Sequence, residues 1–361
     1  MSSKGHDKYN KIIASLKNET GWNKARVKFF VSFIYALYKI QTVSFVKLSQ
    51  AIDGRASQES KLRRVQRFFA GFDMDGNLIA KLVFALLPNK PPYHLSMDRT
   101  NWKFGKTNIN ILTISVCYMG VGLPLMWTLL PKQGNSNWKE RKELLDRYIS
   151  LFGVDSIEAF MADREFIGGK WFDELIHNNI PFHIRIKENL WIDVPGKGRK
   201  KAFWLFNHLQ AGQILRYWKI VNLDGRLVYL SGIKTLVEGK YEFVIIASFR
   251  DGDDVLEKYS QRWQIETMFR AMKTGGFNLE DTHLTDPQRI SKLLALVSVA
   301  FVWAYNVGVQ KDKRIKPIKI KKHGRRQYSF FKYGLLHITN VILNSIDCVL
   351  INEVFVFLSC T

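Results

Sequence analysis

Residues 259 to 277 read YSQRWQIETMFRAMKTGGF. On a helix turning about 100° per residue, Tyr259, Arg262, Glu266 and Lys273 fall within an arc of roughly 60°. One face would then carry a carboxylate, two cations and a phenol. An Arg262–Glu266 ion pair at i,i+4 is the ordinary reading, worth about 0.3–0.5 kcal/mol. Two further acids point elsewhere. Asp98 ends the apolar run YHLSM, and Asp163 ends the run AFMA. A lone Asp at such a place is commonly a turn cap, but the C-terminal ends of buried strands in α/β sheets are also where sites form. Three converging carboxylates repel one another unless cations sit between them. Oxygen-only ligands favour Mg2+ or Mn2+ over zinc. Two such ions about 3.5–4 Å apart activate an attacking oxygen and stabilise the leaving one in phosphodiester displacement. Neighbouring Lys and Arg would hold the phosphates.

The overall charge points to the same class of substrate. Lys plus Arg total 54 against 32 for Asp plus Glu, a formal net charge of +22 over 361 residues. Self-repulsion of that size suits a polyanionic partner, with nucleic acid ahead of anionic membrane. Hydrophobic residues make up 47% and charged ones 24%, a globular rather than a disordered balance. Cys117, Cys348 and Cys360 are few and far apart, without CxxC or Cys/His clusters. Neither a disulfide framework nor a zinc site is expected, and a reducing cytosol fits. The start, MSSKGHDKYNKII, holds no apolar run of signal-peptide length. INILTISVCYMGVGLPLMWTLLP from Ile109 is broken by Gly120, Gly122 and Pro124, which suits two strands around a turn. LLALVSVAFVWAYNVGV from Leu293 is short for a span and reads as a core helix.

The elements that would position the acids follow from the patterning. Residues 1–90 read as a helical, DNA-binding region. SFVKLSQAI and SQESKLRRVQRFFAGF flank a break at Asp53-Gly54. They suit either a helix-turn-helix reader, with Lys61, Arg63, Arg64 and Arg67 on its second helix, or a bundle with a wet basic face. Residues 91–280 read as an α/β core. Three successive strands end near Leu130, a helix spans Asn137–Phe152, and a strand runs into Asp163. GGKWFDELIHNN is the next helix and PFHIRIKEN the next strand. From about 190 to 240, LWIDV, FWLFNHL, ILRYWKIVN, RLVYLSGI and EFVIIASF read as short strand-like runs of a β-rich insertion. One helix is expected to start near Asp254 and to carry the whole Tyr259–Lys273 stripe. Residues 281–361 return to helix around the basic run KDKRIKPIKIKKHGRRQ, which is either a solvated linker or a salt-sensitive contact to DNA backbone. The apolar ending packs on the core or on a second subunit.

The four residues Y-x2-R-x3-E-x6-K at Tyr259, Arg262, Glu266 and Lys273 resemble the C-terminal motif of the IS4-type DDE transposases, the Tn5/Tn10-like group. SMDRTNWKFG around Asp98 and MADREFIGGKWF around Asp163 resemble that family's first and second acidic motifs, and the β-rich stretch resembles its insertion. The resemblance covers roughly residues 90 to 280. It implies an RNase H-like mixed-sheet core in which Asp98, Asp163 and Glu266 bind two Mg2+ ions, with Mn2+ as a substitute. It implies cut-and-paste transposition of an insertion sequence: nicking at the element end, hairpin formation and opening, then strand transfer to target DNA. The partners implied are double-stranded DNA, as terminal inverted repeats and as target, and a second copy in a paired-end complex. No membrane is involved, and the expected compartment is the bacterial cytoplasm, at the nucleoid. Tyr259, Arg262 and Lys273 would contact phosphates. Trp263 would hold a flipped base, with Trp191 and Trp204 as weaker candidates. Arg99 and Arg164 bind phosphate or balance the acids, Arg164 reading as structural. Glu165, facing away from Asp163 if the strand continues, is a poor ligand. His94 and Ser96 suggest no covalent nucleophile. The alternatives are a catalytically idle, transposase-derived DNA-binding regulator and a stand-alone RNase H-like nuclease.

Overall fold

The computed structural model describes residues 20–344. Its centre is a mixed sheet of ten strands in the order β3-β2-β1-β4-β5-β10-β9-β8-β6-β7. β1 (Tyr93–Phe104), β2 (Thr107–Tyr118) and β3 (Val121–Leu129) form an antiparallel meander. Their turns place Gly105, Met119 and Gly120 at positive φ. The apolar stretch from Ile109 is therefore two buried strands, as its glycines and proline suggest. β4 (Ile157–Ala162) lies parallel to β1, and β5 (Phe182–Ile186) parallel to β4. β10 (Lys240–Ser248) then pairs antiparallel with β5. Beyond β10, β9 (Arg226–Val237), β8 (Ile214–Leu223), β6 (Trp191–Val194) and β7 (Gly198–Lys201) extend the same sheet. This mixed α/β architecture is consistent with the RNase H-like core expected from the sequence.

Strand parity assigns the two faces. Phe160 and Phe182 are register partners, as are Leu95 and Phe160, so these three side chains share one face. α6 (Gly169–His177) covers it, stacking Phe172 on Phe182 at 5.0 Å and setting Trp171 edge-on to Phe160 at 5.7 Å. Ser96, Met161, Arg185 and Ile246 point the other way. α7 (Val255–Ser260) packs there, its Val255 and Tyr259 against Ile246. α8 (Trp263–Lys273) continues across the same face to β3. Its approach depends on Gly122, where a Cβ would lie 3.0 Å from the Ile265 Cα and 3.2 Å from the Gln264 carbonyl.

Two expectations are corrected here. The helix from Asp254 is not continuous. α7 ends at Ser260 and α8 begins at Trp263, with Gln261 and Arg262 in a tight turn between them. The break contains neither Gly nor Pro, and Gln261 is held there by its Oε1, 2.8 Å from the His94 Nδ1 of β1. Likewise FWLFNHL is not a strand: the 3-10 turn Ala202–Leu205 takes in its first three residues. Its Ala202 and Phe203 amides donate to the Leu190 and Glu188 carbonyls.

Helices flank the sheet. α1 (Lys24–Ile40), α2 (Phe45–Ala51), α3 (Gln58–Gly71) and α4 (Gly76–Ala85) precede it. α5 (Trp138–Phe152) starts with a full capping box between Asn137 and Glu140. α9 (Pro287–Arg314) is long and apolar enough to cross a membrane, but its most apolar window is 89% buried within the protein. Tyr38 of α1 donates to the Ala300 carbonyl of this helix. α10 (Phe330–Asn344) packs on α9. The apolar ending thus packs on the core as far as Asn344, and its remainder, with Cys348 and Cys360, lies outside the described residues, as do residues 1–19. The basic run is anchored: the Ile318 amide donates to Asp312, and the Tyr333 hydroxyl to the Lys316 carbonyl.

Two buried imidazoles make stability depend on pH. Burial pushes both His183, which bonds Ser248 at 2.9 Å, and His337, which also lies near Lys311, down to about 4. An unfolded histidine titrates near pH 6.5. From pH 6.5 down to 4 the unfolded chain therefore binds the extra protons, and stability falls as pH falls. The expected loss approaches roughly 3 kcal/mol per imidazole at the acid end and is absent above about pH 7. Urea unfolding of the parent and His183→Gln at pH 7.5 and 5.0 checks this. The variant should lose less stability between the two pH values, and an equal loss would show that His183 does not titrate as described.

Candidate active site

β1 and β4 run parallel with Met97 beside Ala162, so the next residues, Asp98 and Asp163, lie at the same level on neighbouring strands. Parity sends Asp98 to the face that α8 covers. Asp163 follows the last residue of β4 in extended conformation and caps a 3-10 turn, accepting from the Arg164 amide at 2.6 Å. Arg141 of α5 holds that turn, donating to the Glu165 carbonyl at 2.9 Å and to the Ser136 hydroxyl. Burial pushes Arg141 down to about 10. No spacing rule pointed to Arg141, because its role depends on the turn it meets in space.

Arg262 lies at the centre. Its side chain is 3% exposed, and its guanidinium donates to Asp98 at 3.3 Å and to Glu266 at 2.7 Å. Burial works against this charge. Tyr259, Glu266, Asp98 and Asp163 around it nevertheless hold its pKa above the ordinary value. All three sequence-nominated carboxylates thus act on one guanidinium. Burial pushes Asp98 up to about 7, with Glu165 and Glu266 adding to the rise, despite the Arg99 amide and Arg262 opposing it. Burial is the larger effect, and Arg262 offsets only part of it. Among the described residues, no three acidic, histidine or cysteine side chains are gathered closely enough to hold one ion as they stand. The all-oxygen donor set still fits a hard divalent cation, for which the Arg262 guanidinium between Asp98 and Glu266 stands in.

The four-residue stripe divides on folding. Tyr259 and Arg262 are buried rather than presented to solvent, and burial pushes the phenol up to about 12. Glu266 is half-buried. Lys273, two turns along α8, bonds the Asn101 carbonyl at 3.1 Å and pairs with Glu280 at 2.8 Å. Trp263 is 56% exposed, with the Arg262 guanidinium 4.8 Å from its ring centre. Trp191 and Trp204 are exposed on and beside the β6–β7 hairpin, each flanked by two cations.

The arginines after the two aspartates differ in their surroundings. Arg99 is the structural one, bonding Glu165, Asn110 and Asn135. Arg164, which the sequence suggested as structural, is exposed at the rim of a cleft. Glu165, expected to face away from Asp163, pairs with Arg99 at 3.3 Å from within the 3-10 turn. Arg185, outside every acidic motif the sequence offered, projects from β5 toward Tyr259 and influences its phenol.

A family model described as Transposase DDE domain matches residues 89–303, more than half of the chain. No curated protein matches. Among solved structures, the chain is similar at 8% identity to Argonaute of Marinitoga piezophila, in complex with a 5′ OH guide RNA and target DNA. That match has a TM-score of 0.25 and covers 76% of this chain and 51% of the other, so the chain spans about half of that protein's length. Likeness at that level carries no argument. The family match stands on its own, and it covers Asp98, Asp163 and Glu266: the chain belongs to the transposase DDE domain family.

Proposed function

We propose that this transposase is of the IS4 type and moves its element by cutting and pasting, with Asp98, Asp163 and Glu266 as the metal ligands. The observation that supports this reading is the meeting of those carboxylates, from β1, from the end of β4 and from α8, around the Arg262 guanidinium. Bound Mg2+, or Mn2+ in its place, would activate the attacking oxygen and stabilise the leaving one. The chain's own groups do the rest. Gly122 lets α8 lie close enough to the sheet for Glu266 to face Asp98. Arg141 fixes the turn that aims Asp163. Arg262, released from the carboxylates, turns to a strand phosphate, and Lys273 exchanges Glu280 for another. Tyr259 stays protonated through the neutral range and donates a hydrogen bond. Trp263, exposed beside Arg262, offers a stacking surface for an extruded base. Two copies act together on paired ends.

The test is incubation with the element's terminal DNA and Mg2+. Nicked, hairpin and joined products are expected. Cutting without joining would identify a stand-alone nuclease, and binding without cutting an idle regulator. Arg262→Gln separates its two roles. It should weaken binding of the end and lower the slope of log affinity against log salt by about one. It should also tighten Mn2+ binding to the DNA-free protein, read by electron paramagnetic resonance, because a competing cation has left. Unchanged Mn2+ affinity would mean that Arg262 does not stand where the ions go.

A further inference from the structure

We propose that His94 is a positioning residue for the transposase reaction. It holds Gln261, and through the turn at Gln261 it sets where Arg262 and Glu266 meet Asp98. The inference rests on the transposase reading and adds to it a residue that acts through others. His94 lies on β1 four residues before Asp98, so both side chains leave the strand on the face that α7 and α8 cover. Its Nδ1 is 2.8 Å from the Gln261 Oε1, and an oxygen at that place accepts from an Nδ1–H. Its other ring nitrogen, Nε2, lies 3.2 Å from the Glu158 Oε1, within ion-pair reach though not aligned as a hydrogen bond. The imidazole is 15% exposed and is gripped from both ends.

Two irregularities of the chain meet at this ring. The first is a bulge in β4. Tyr93 pairs with Ile157 and His94 with Ala159, so Glu158 is an extra residue with no register partner on β1. Strict alternation would put Glu158 on the face of Phe160, under α6. The bulge re-aims it at His94, a use that bulges often serve beside sites. The second irregularity is the break between α7 and α8. The amides of Gln261, Arg262, Gln264 and Ile265 donate three residues back, to the carbonyls of Lys258, Tyr259, Gln261 and Arg262. Such bonds wind the chain at about 120° per residue rather than about 100°. The direction of α8, and the side of it on which Glu266 emerges, are therefore set at this break. A bond from β1 to Gln261 ties the break to the strand that carries Asp98. Arg262 is the next residue, 3% exposed, and it spans Asp98 and Glu266.

The experiment is a double-mutant cycle on the full chain with labelled terminal DNA, in Mg2+ for cutting and in Ca2+ for binding. His94→Ala and Gln261→Ala should each lower the cleavage rate at saturating DNA roughly thirtyfold to a hundredfold. Duplex affinity should stay within about threefold, because no cation is lost from the DNA-facing surface. The double variant should be no slower than either single one, since both remove the same bond. His94→Asn puts an amide nitrogen where Nδ1 stands and keeps the bond to Gln261, so it should recover most of the rate. Wild-type rates in both alanine variants overturn the proposal. So do losses that multiply in the double variant, and a loss in His94→Ala that His94→Asn fails to recover. If the wild-type protein itself does not cut terminal DNA, the transposase reading fails instead. The seating of α8 is then read by deuterium uptake at residues 261–266 of the DNA-free protein. Both alanine variants should raise that uptake and His94→Asn should not. Uptake equal to wild type in every variant overturns the positioning role.

Discussion

Glu266→Gln is expected to lower metal-dependent cleavage by roughly a thousandfold or more while leaving binding of the terminal DNA within about threefold. The substitution keeps the shape of the side chain and the course of α8. It removes one negative charge from a site whose other near carboxylate, Asp98, is already disfavoured as an anion by burial. An amide oxygen is a weak donor to a hard cation, and it no longer balances Arg262. Binding survives because the cations that meet the backbone, Arg262 among them, keep their charge in this variant. Gel analysis of end-labelled terminal DNA, with anisotropy on the same duplex, reads both quantities. A variant that still cuts would place the third ligand elsewhere. A variant that neither cuts nor binds would show that Glu266 orders the surface rather than the ions.

The second large effect is on stability. α9 and α10 cross almost backbone to backbone. A Cβ built on Gly334 would lie 1.8 Å from the Ala304 carbonyl oxygen, and one on Gly308 would lie 1.9 Å from that of Phe330. Neither contact can relax by rotating a side chain, so the helices must separate. Separation would pull apart the Phe301–Phe331 stack, whose centres are 4.2 Å apart, and the edge contact of Tyr305 with Phe330. Gly308→Ala and Gly334→Ala should each cost about 3 kcal/mol or more. At about 2–4 °C per kcal/mol for a domain of a few hundred residues, the melting point should fall by roughly 6–12 °C. Calorimetry decides the matter, and a fall below about 2 °C for both variants would mean that the crossing is looser than described.

Much of the framework is local and was legible. The β1–β3 meander is marked by apolar runs between Gly105 and Gly120, and α5 by Asn137 with Glu140 three residues on. Both Asp98 and Asp163 follow apolar runs, and Glu266 stands out through its neighbours. The break at Gln261–Arg262 was not legible, since helical spacing continues through it and no Gly or Pro interrupts it. It is fixed by a bond to His94, far away in the chain. Similarly, FWLFNHL has strand-like residues but meets the Leu190 and Glu188 carbonyls in a way that bends it.

The amino-acid order alone determined which side chains could share a face. Alternation along β1 separates Asp98 from Leu95 and Met97, and helical spacing keeps Arg262 near Glu266, because covalent geometry sets both periods. Distance between segments is another matter. That Met97 lies beside Ala162, and so Asp98 beside Asp163, follows from hydrogen-bond register between strands some sixty residues apart. That Arg262 is sealed among acids rather than turned to solvent, and that Arg185 keeps an unpaired buried donor, follows from how α7 settles on β5 and β10. Packing of remote segments sets burial and field, and no period in the sequence encodes either.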